Sequence, residues 1–202
     1  FGKISSIKKV IIFEHYKFLY KKGVIYRNLE LERFMKIKGS RSRSGVLSVT
    51  IFTSGELLGA NSEKSSHNII KTGGCPMDCH YCPFEKDENG IATQPRSYLS
   101  TEPGNMRATE NKHHPVGQVY QRLFQLEKTG HLSDDSNSIS KIELIISGGT
   151  FPFYPKEYLI WFTNCAYYAC NTYYKWKKMR KLKSLKDEQK INETRSEEHT
   201  SE

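Results

Sequence analysis

The sequence predicts an α/β protein built on a parallel sheet. Two short runs rich in β-branched and apolar residues, Gly45–Ser54 and Lys141–Ser147, have the length and near-continuous apolar character of strands buried in such a sheet. A segment with helical periodicity follows each run. Strands and helices that alternate at these lengths form βαβ units, whose crossover connections make neighbouring strands parallel. Two strands are far short of a closed barrel.

A basic segment, residues 1–44, precedes the first strand and is expected to be helical. Between Phe1 and Arg43 there are twelve Lys or Arg residues and three Glu residues. The aromatic residues interleaved with them are Phe13, Tyr16, Phe18, Tyr20, Tyr26 and Phe34. This mixture suits helices or arms that lie along phosphates. It also suits an amphipathic layer that covers a core. The inward-facing residues of such a layer would be Val10, Ile11, Phe18 and Leu19.

The region between the two strands is expected to contain loops and one helix. Gly55–Gly74 is polar without periodicity, and the stretch from Phe84 to about His114 is punctuated by prolines, so both are expected to be loops. Helical spacing begins after Pro115, and Gly130 stands where a C-cap glycine would end the helix. The apolar side of this helix would be Val116, Val119, Tyr120, Leu123 and Leu126.

After the second strand, a helix is expected from Pro155 to about Trp176. The run from Lys175 to Lys190 then has eight Lys or Arg residues and two acidic residues. It is expected to be a solvated insertion or a further phosphate-binding stretch. The last eight residues, 195–202, read RSEEHTSE, an abrupt polar string that resembles translated sequencing adapter and is excluded from the fold prediction. The predicted α/β domain is therefore 45–194.

Composition narrows the class of protein. The net charge of +9 and the pI near 9.2 favour a polyanionic partner, although a solvated surface explains them equally well. Removing the one Arg and three Glu of the last eight residues raises that charge to +11. Five cysteines, three of them crowded together, argue against a disulfide scaffold. No apolar run approaches the ~20 residues of a membrane span. A reducing, cytoplasmic compartment without membrane association is expected.

Three cysteines form the strongest motif in the chain. Cys75, Cys79 and Cys82 are spaced C-x3-C-x2-C shortly after the first strand. Three thiolates on so short a loop can ligate three irons of a cubane and leave the fourth iron open. The spacing resembles that of the radical S-adenosylmethionine (SAM) superfamily, whose [4Fe-4S] cluster binds SAM at the open iron and cleaves it to a 5′-deoxyadenosyl radical. A zinc knuckle completed by His80, His113 or His114 is the alternative.

Two further cysteines and two glycines have distinct interpretations. Cys165 and Cys170 lie in an apolar helical segment and are interpreted as packing residues. Gly148 and Gly149, followed by Thr150, end the second strand, where ligands collect in parallel α/β sheets. We call Gly148–Thr150 the glycine turn. It resembles the SAM-binding glycine motif of the superfamily, and its three residues are predicted to contact SAM.

The intervening residues resemble one family within that superfamily. The stretches that carry the resemblance are RSRSGVLSVTIFTS, QPRSYLSTEPGNMRA, NKHHPVGQ, Gly130-His131 and KIELIISGGTF, which fall in order between about Lys38 and Tyr174. Together they resemble the catalytic subunit of Elongator, which modifies the wobble uridine of tRNA. Two departures stand out: the first two cysteines are closer together than in many members, and most of the radical SAM barrel is absent.

The resemblance implies a function and a set of ligands. It implies a radical SAM (βα) barrel, here incomplete, and an enzyme that installs a carboxymethyl group on carbon 5 of uridine 34. Acetyl-CoA would supply the carbon unit through an acetyltransferase domain, which is expected only in a longer parent protein. A [4Fe-4S] cluster, SAM, a tRNA substrate and Elongator-type partner subunits are implied with it. The fragment is expected to be inactive alone, and no catalytic side chain is assigned.

Candidate RNA contacts fall in two regions. The basic residues before the first strand that would contact tRNA phosphates are Lys36, Lys38, Arg41 and Arg43. In the loop after the cysteines, the family segment contains Arg96, Ser97, Tyr98, Glu102, Met106 and Arg107. There an Arg could pair with phosphate and a Tyr could stack on a base, so Arg96, Tyr98 and Arg107 are predicted RNA contacts. A loop held by its own salt bridges is the alternative.

Two other classes of protein remain open at this point. One is a nucleic-acid-binding module with a structural zinc knuckle and no catalysis. The other is a low-potential electron carrier, whose cluster SAM would not perturb. Iron content separates the zinc module from both cluster proteins, and the response to SAM separates the enzyme from the carrier.

Overall fold

The computed structural model describes residues 9–36, 44–54, 73–132 and 141–198, with side chains as far as residue 180. Three predicted RNA contacts, Lys38, Arg41 and Arg43, lie outside the described residues. So does the predicted loop Gly55–Gly74, apart from its last two residues. The elements in chain order are α1 (Lys9–Lys21), α2 (Leu29–Met35), β1 (Val46–Phe52), α3 (Pro103–Glu110), α4 (Pro115–Lys128), β2 (Lys141–Ser147), a 3-10 turn (Phe151–Phe153) and α5 (Lys156–Glu198).

The two predicted strands pair in parallel, which confirms the α/β prediction. Val46 lies opposite Lys141, and the register continues without a bulge to Phe52 opposite Ser147. Thr53 N extends the ladder by donating to Ser147 O at 2.9 Å. Helices α3 and α4 make the crossover between the strands and pack against β1. Both strands therefore end at the same edge of the sheet.

The strands are less buried than their composition predicts. In β1, Leu47, Val49 and Ile51 are buried, whereas Ser48 is exposed. In β2, exposed and half-buried residues alternate, and Ile145 is 40% exposed. The prediction of two fully buried strands is therefore wrong. One face of this two-stranded sheet is covered and the other faces outward among the described residues, so only alternate side chains are covered.

Helix α4 forms as predicted. Val119, Leu123 and Leu126 are buried on one side at spacings of three and four residues. The helix ends in a Schellman motif, in which Gly130 N donates to Glu127 O at 3.1 Å and His131 N donates to Leu126 O at 2.8 Å. Gly130 has φ +80°, as that motif requires.

Helix α3 interrupts the predicted loop from Phe84 to His114. Pro103 occupies the first turn, where its missing N–H costs nothing, and the eight-residue helix ends at Glu110. Its sequence, PGNMRATE, has no apolar stripe, and its buried residues are the small Asn105 and Ala108. The prediction of continuous loop is wrong here because the helix packs through small residues that periodicity does not detect.

Side chains from α3 and α4 occupy the edge of β1 that faces away from β2. Phe52 N donates to Gln118 Oε1 at 2.8 Å, and Gln118 Nε2 donates to Phe52 O at 2.9 Å. Arg107 Nη2 donates to Thr50 O at 3.3 Å. Gln118 has no exposed surface. These hydrogen bonds do for β1 what a neighbouring strand would do, because they satisfy backbone groups that are buried at that edge.

Helices α1 and α2 confirm the helical prediction for the basic segment but bury different residues from those expected. Phe13, Tyr16 and Met35 form a small apolar cluster, whereas Phe18 is 54% exposed. The α1 residues Ile11 and Leu19 are also exposed. The inward face is set by the aromatic residues at positions 13 and 16, because these contact α2 and the end of α4.

Helix α5 runs well beyond the predicted end at Trp176. It contains no Gly or Pro between Lys156 and Glu198, and its later half is rich in the strong helix formers Lys, Leu and Glu. The predicted solvated insertion is therefore helical along its backbone.

The chain divides into two compact units, Phe1–Cys170 and Asn171–Glu202. In the first unit, the helix buries Tyr158, Phe162, Ala166 and Ala169 on one face. Within the described part of the chain, no helix has the length and apolarity needed to span a bilayer.

Candidate functional site

The glycine turn lies directly against the cysteine loop, which we define as Gly73–Pro83. Thr150 N donates to Gly74 O at 2.7 Å. Gly149 N donates to Arg96 O at 3.1 Å, and Arg96 N donates to Gly73 O at 2.9 Å. Backbone hydrogen bonds therefore join three segments at the carboxyl edge of the sheet. The candidate site is this junction.

Glycine is required at the centre of the junction. Gly149 has φ +55°, and a Cβ built on it would lie 2.4 Å from Gly74 O. A Cβ on Gly74 would lie 2.0 Å from the hydroxyl oxygen of Tyr154. The neighbour of Gly149 cannot move aside cheaply, since the atom that a Cβ would meet belongs to backbone. The sequence predicts that glycines here let a ligand approach the backbone. In the structure, the space that a side chain of Gly149 would occupy is filled by backbone atoms of the cysteine loop. Contact between this turn and a ligand stays a prediction.

The structure places the three cysteines on one loop with different surroundings. Cys75 is half-buried, and its Sγ accepts a hydrogen bond from Thr150 Oγ1 at 3.2 Å. Cys82 Sγ lies 2.9 Å from Ser97 Oγ, and Cys79 is exposed. Among the described residues, no group of three or more His, Cys, Asp or Glu side chains is arranged to hold a metal ion. The three thiols are therefore close in sequence but do not converge.

The donor set nevertheless fits an iron–sulfur cluster. All three thiols are free, none is fully buried, and no disulfide engages them. Cys82 N donates to Cys79 O at 3.0 Å, so the loop already turns between its second and third cysteines. Thiolates are the protein ligands of such clusters. Of the three side chains, that of Cys79 is the most exposed.

Arg96 connects the cysteine loop to the segment that follows it. Its guanidinium forms an ion pair with Asp78, which lies between the first and second cysteines. The hydrogen bond from Arg96 lowers the pKa of Asp78. The same guanidinium stacks over the ring of Phe84, 4.6 Å from its centroid. The predicted RNA contact Arg96 thus has a buried side chain that pairs with an exposed carboxylate, an arrangement that resembles the salt-bridged alternative.

Tyr154 links the strand ends below the glycine turn. Its hydroxyl donates to Ser54 O at 3.0 Å and lies 2.9 Å from Thr53 Oγ1. Thr53 Oγ1 in turn donates to Gly148 O at 3.1 Å. Burial raises the pKa of Tyr154 to about 12, so the phenol is a neutral hydrogen-bonding group at neutral pH. Sequence analysis missed this role, although a Tyr four residues after Thr150 in an apolar stretch was the available signal.

His113 contacts the end of β1 from the other side. Its Nδ1 lies 3.0 Å from Thr53 O, and because a carbonyl can only accept, the ring donates that hydrogen. Burial lowers the pKa of His113, which favours the neutral ring. The residue has φ +53°. His113 is thus a strand-end contact within the described structure, not a ligand beside the three cysteines.

The remaining predicted RNA contacts that the structure describes are largely engaged within the fold. Tyr98 packs edge-on against Phe52, with 4.7 Å between ring centroids. Arg107 donates to Thr50 O, its Nε is buried with no hydrogen-bond partner among the residues that the structure describes, and burial lowers its pKa. Lys36 follows α2 and is half-buried beside the C-terminal turn of α4. Their contact with RNA stays a prediction.

Cys165 and Cys170 differ from the loop cysteines. Both are half-buried on α5, and burial raises their pKa, that of Cys170 to about 11. A thiol with a raised pKa is mostly protonated and is a poor nucleophile and metal ligand. This agrees with their interpretation as packing residues.

Known proteins resemble a large part of this chain. A tRNA uridine(34) acetyltransferase of Methanocaldococcus infernus is 41% identical over 121 residues, which are 59% of this chain and 20% of that protein. A protein of the same name from Methanocaldococcus jannaschii is 34% identical over 79% of this chain and 24% of its own length. Mouse Elongator complex protein 3 is 31% identical over 68% of this chain and 22% of its own length. The chain belongs to the Elongator complex protein 3 family.

The family assignment confirms the resemblance drawn from the motifs. No protein-family model matches the chain. The match to each of these three relatives spans between a fifth and a quarter of the relative's length. The family assignment therefore concerns only the part of those proteins that this chain spans, and the cysteine loop and the glycine turn lie in this chain.

Proposed function

We propose that this chain is the radical SAM part of an enzyme that modifies uridine 34 of tRNA. In this proposal Cys75, Cys79 and Cys82 ligate a [4Fe-4S] cluster, and the glycine turn contacts SAM. The strands β1 and β2 would be the first two of a radical SAM barrel. The names of the relatives support the tRNA substrate and an acyl-transfer step.

One contact carries the proposal. Thr150 Oγ1 donates to Cys75 Sγ, and Thr150 N donates to Gly74 O. The turn that ends β2 is thereby held against the first cysteine of the motif, across 75 positions of sequence. A zinc knuckle needs no glycine turn beside it. An enzyme that binds SAM at a cluster needs both features together.

The residues of the chain have definite tasks in this proposal. The bound cluster would supply the electron that cleaves SAM. Gly148 and Gly149 would let the turn pack closely against the cysteine loop beside bound SAM, and Thr150 would orient Cys75. Tyr154 and Thr53 fix the strand ends from below, so the turn and the thiol keep their spacing. Tyr154 is buried, and its phenol is neutral at neutral pH.

The rest of the proposed function concerns the whole protein. The product would be a uridine carrying a carboxymethyl group at carbon 5, with acetyl-CoA as the carbon source bound by an acetyltransferase domain of the longer parent. Elongator-type subunits would be partners, and the reaction would take place in the cytoplasm. The names of the relatives called Elongator complex protein 3 support the Elongator-type context.

Anaerobic reconstitution tests the cofactor assignment. The protein, supplied with iron and sulfide, should hold about four irons and show an EPR signal after reduction that shifts when SAM is added. Cys75→Ala, Cys79→Ala and Cys82→Ala should each lose the cluster, because two thiolates would remain for four irons. Cys165→Ala is the control, since that thiol lies on α5 and should leave the iron content unchanged.

Three outcomes would overturn the proposal. A colourless protein that binds zinc would indicate the structural knuckle. A cluster whose spectrum is unchanged at saturating SAM would indicate an electron carrier. Equal loss of iron from Cys165→Ala and Cys79→Ala would show that the motif does not hold the cluster.

A further inference from the structure

We infer that Arg96 is a positioning residue that holds the cysteine loop onto the glycine turn, and that it does not contact RNA. The inference rests on the proposed cluster site and assigns a task to a residue outside the cysteine motif. Arg96 lies fourteen positions after Cys82 in sequence. Its contacts nevertheless reach both halves of the candidate site.

The backbone of Arg96 makes the first link. Its N–H donates to Gly73 O, at the start of the cysteine loop, and its C=O accepts from Gly149 N, within the glycine turn. The two bonds measure 2.9 Å and 3.1 Å. A single residue is therefore hydrogen-bonded on one side to the loop that would hold iron and on the other side to the turn that would hold SAM.

The side chain makes the second link. The Arg96 side chain is 7% exposed, whereas that of its ion-pair partner Asp78 is 95% exposed. The Cys82 side chain is close enough to the same guanidinium for an electrostatic interaction. The guanidinium thus pairs with Asp78 and lies near Cys82, and these two residues flank the exposed Cys79 in the sequence. A guanidinium suits this task because its donors are fixed in one plane.

The surroundings of Arg96 argue against a phosphate contact. The guanidinium is covered by the Phe84 ring, and its Nε is buried without a hydrogen-bond partner among the described residues. A phosphate-binding Arg presents its donors to solvent, where a polyanion can reach them. Here the ion pair with the exposed Asp78 already offsets the positive charge at the protein surface. The cation therefore acts on the cysteine loop.

Matched variants test the inference in the reconstituted protein. Arg96→Gln removes both the positive charge and the planar set of N–H donors, whereas Arg96→Lys keeps only the charge. Asp78→Asn removes the charge of the exposed partner without altering the core. Arg27→Gln is the control, because Arg27, just before α2, forms an Arg–carboxylate pair with Glu32 on that helix, away from the site. Iron release to a chelator should accelerate about tenfold or more in Arg96→Gln. Asp78→Asn should accelerate it less, and Arg27→Gln should match the parent.

The reduction potential of the cluster gives a readout that a purely structural role would not move. A guanidinium near the Cys82 sulfur would favour the reduced, more negative state of a cluster held by that thiolate. Arg96→Gln should therefore shift the potential to more negative values, whereas Arg96→Lys should retain most of the parent value. The inference is overturned if Arg96→Gln matches the parent both in iron release and in potential.

Amide hydrogen exchange on the metal-free protein separates this inference from the cofactor proposal. Faster exchange at Cys82 and Gly149 in Arg96→Gln and in Asp78→Asn would support the positioning role even if the parent holds no iron. Unchanged exchange at both amides would overturn it. A drop in the salt dependence of tRNA binding by about one unit in Arg96→Gln, with iron release unaffected, would assign the residue to RNA and also overturn the inference.

Discussion

At the scale of single residues, Gly149 is the position where the site tolerates least change. It adopts φ +55° and its Cα faces the carbonyl of Gly74, so any side chain would be forced into the cysteine loop. Elsewhere a glycine with positive φ can face open space. Gly90 has φ +75°, and no atom of the described residues lies within 4 Å of a Cβ built on it. The two glycines therefore share a backbone conformation but differ in crowding.

Gly149→Ala should lower the free energy of unfolding more than Gly90→Ala does. Both variants place an alanine in the left-handed region, at a cost of about 1–2 kcal/mol. Gly149→Ala adds overpacking against backbone, at a further cost of about 1–3 kcal/mol. Urea unfolding followed by circular dichroism measures the difference. If both variants lose the same free energy of unfolding, the cysteine loop moves away from the added Cβ at no cost, which would contradict the close packing at Gly149.

His113 should make stability depend on pH below neutrality. Burial lowers its pKa in the folded protein, so the unfolded chain takes up a proton at about pH 6.5 while the folded chain does not. This contribution to stability is present above pH 6.5 and is lost as the pH falls towards the folded-state pKa, at up to about 1.4 kcal/mol per pH unit.

His113→Asn should flatten this pH dependence. Asn tolerates the positive φ of this position and can still donate to Thr53 O, but it does not titrate. Urea unfolding between pH 7 and pH 5 provides the measurement. The exposed His15 supplies the control, and His15→Asn should follow the parent. If the parent and His113→Asn lose stability in parallel, protonation of His113 is not linked to folding.

At the scale of the elements, Gln118 holds helix α4 on strand β1. Its side-chain amide satisfies both backbone groups of Phe52 at an edge with no strand beside it among the described residues. Gln118→Leu should lower the free energy of unfolding by about 2–6 kcal/mol, because it leaves a buried N–H and a buried C=O unsatisfied. Gln125→Leu, at a half-buried position of the same helix, should change it by less than about 1 kcal/mol. A small loss in Gln118→Leu would mean that water replaces the amide.

Elements with a long apolar stripe or β-branched run could be predicted from the sequence. The strands β1 and β2 and the helix α4, with its terminal Gly130, belong to this group. Helix α3 could not be predicted, because it buries only small residues. The end of α5 could not be predicted either, since a charged sequence without Gly or Pro does not reveal where a helix stops. The exposed face of β2 depends on which elements cover it, and strand composition does not report this.

The candidate site was predictable as a set of motifs but not as an arrangement. The cysteines and the glycine turn are visible as short patterns, whereas the hydrogen bond between Thr150 and Cys75 depends on the strand register. Arg96 stands out in the sequence as a charged residue in a family segment, and only the fold shows that its guanidinium faces inward. Charge in a loop does not reveal which way a side chain points.

At the scale of the whole molecule, the net charge of +9 predicts salt-dependent binding to tRNA. If Lys36, Lys38, Arg41 and Arg43 bind phosphates, changing all four to Ala should weaken binding and flatten the plot of log affinity against log salt. The slope should fall by up to about one unit for each phosphate that is no longer neutralised. Filter binding between 50 and 200 mM salt, about the range over which such ion pairs respond, measures it.

Four basic residues of α5 provide the matched control for that experiment. Changing Lys175, Lys177, Lys178 and Arg180 to Ala removes the same charge from the other basic run of the chain. This variant should retain a steeper slope than the first. Equal slopes in the two variants would show that net charge alone governs binding. No change of slope in the first variant would place the RNA-binding surface elsewhere.

The long sequence separation between Cys75 and Thr150 has a consequence for biosynthesis. A ribosome adds about 5–20 residues per second, so the glycine turn emerges roughly 4–15 seconds after the first cysteine. Parallel strands joined by a crossover pair slowly, because a long loop must close before the strands can meet. Throughout this interval the nascent chain displays three unprotected thiols without the turn that later packs on them. Oxidants and stray metal ions can therefore reach the thiols before folding is complete, and iron delivered at that stage would meet a loop with no fixed shape.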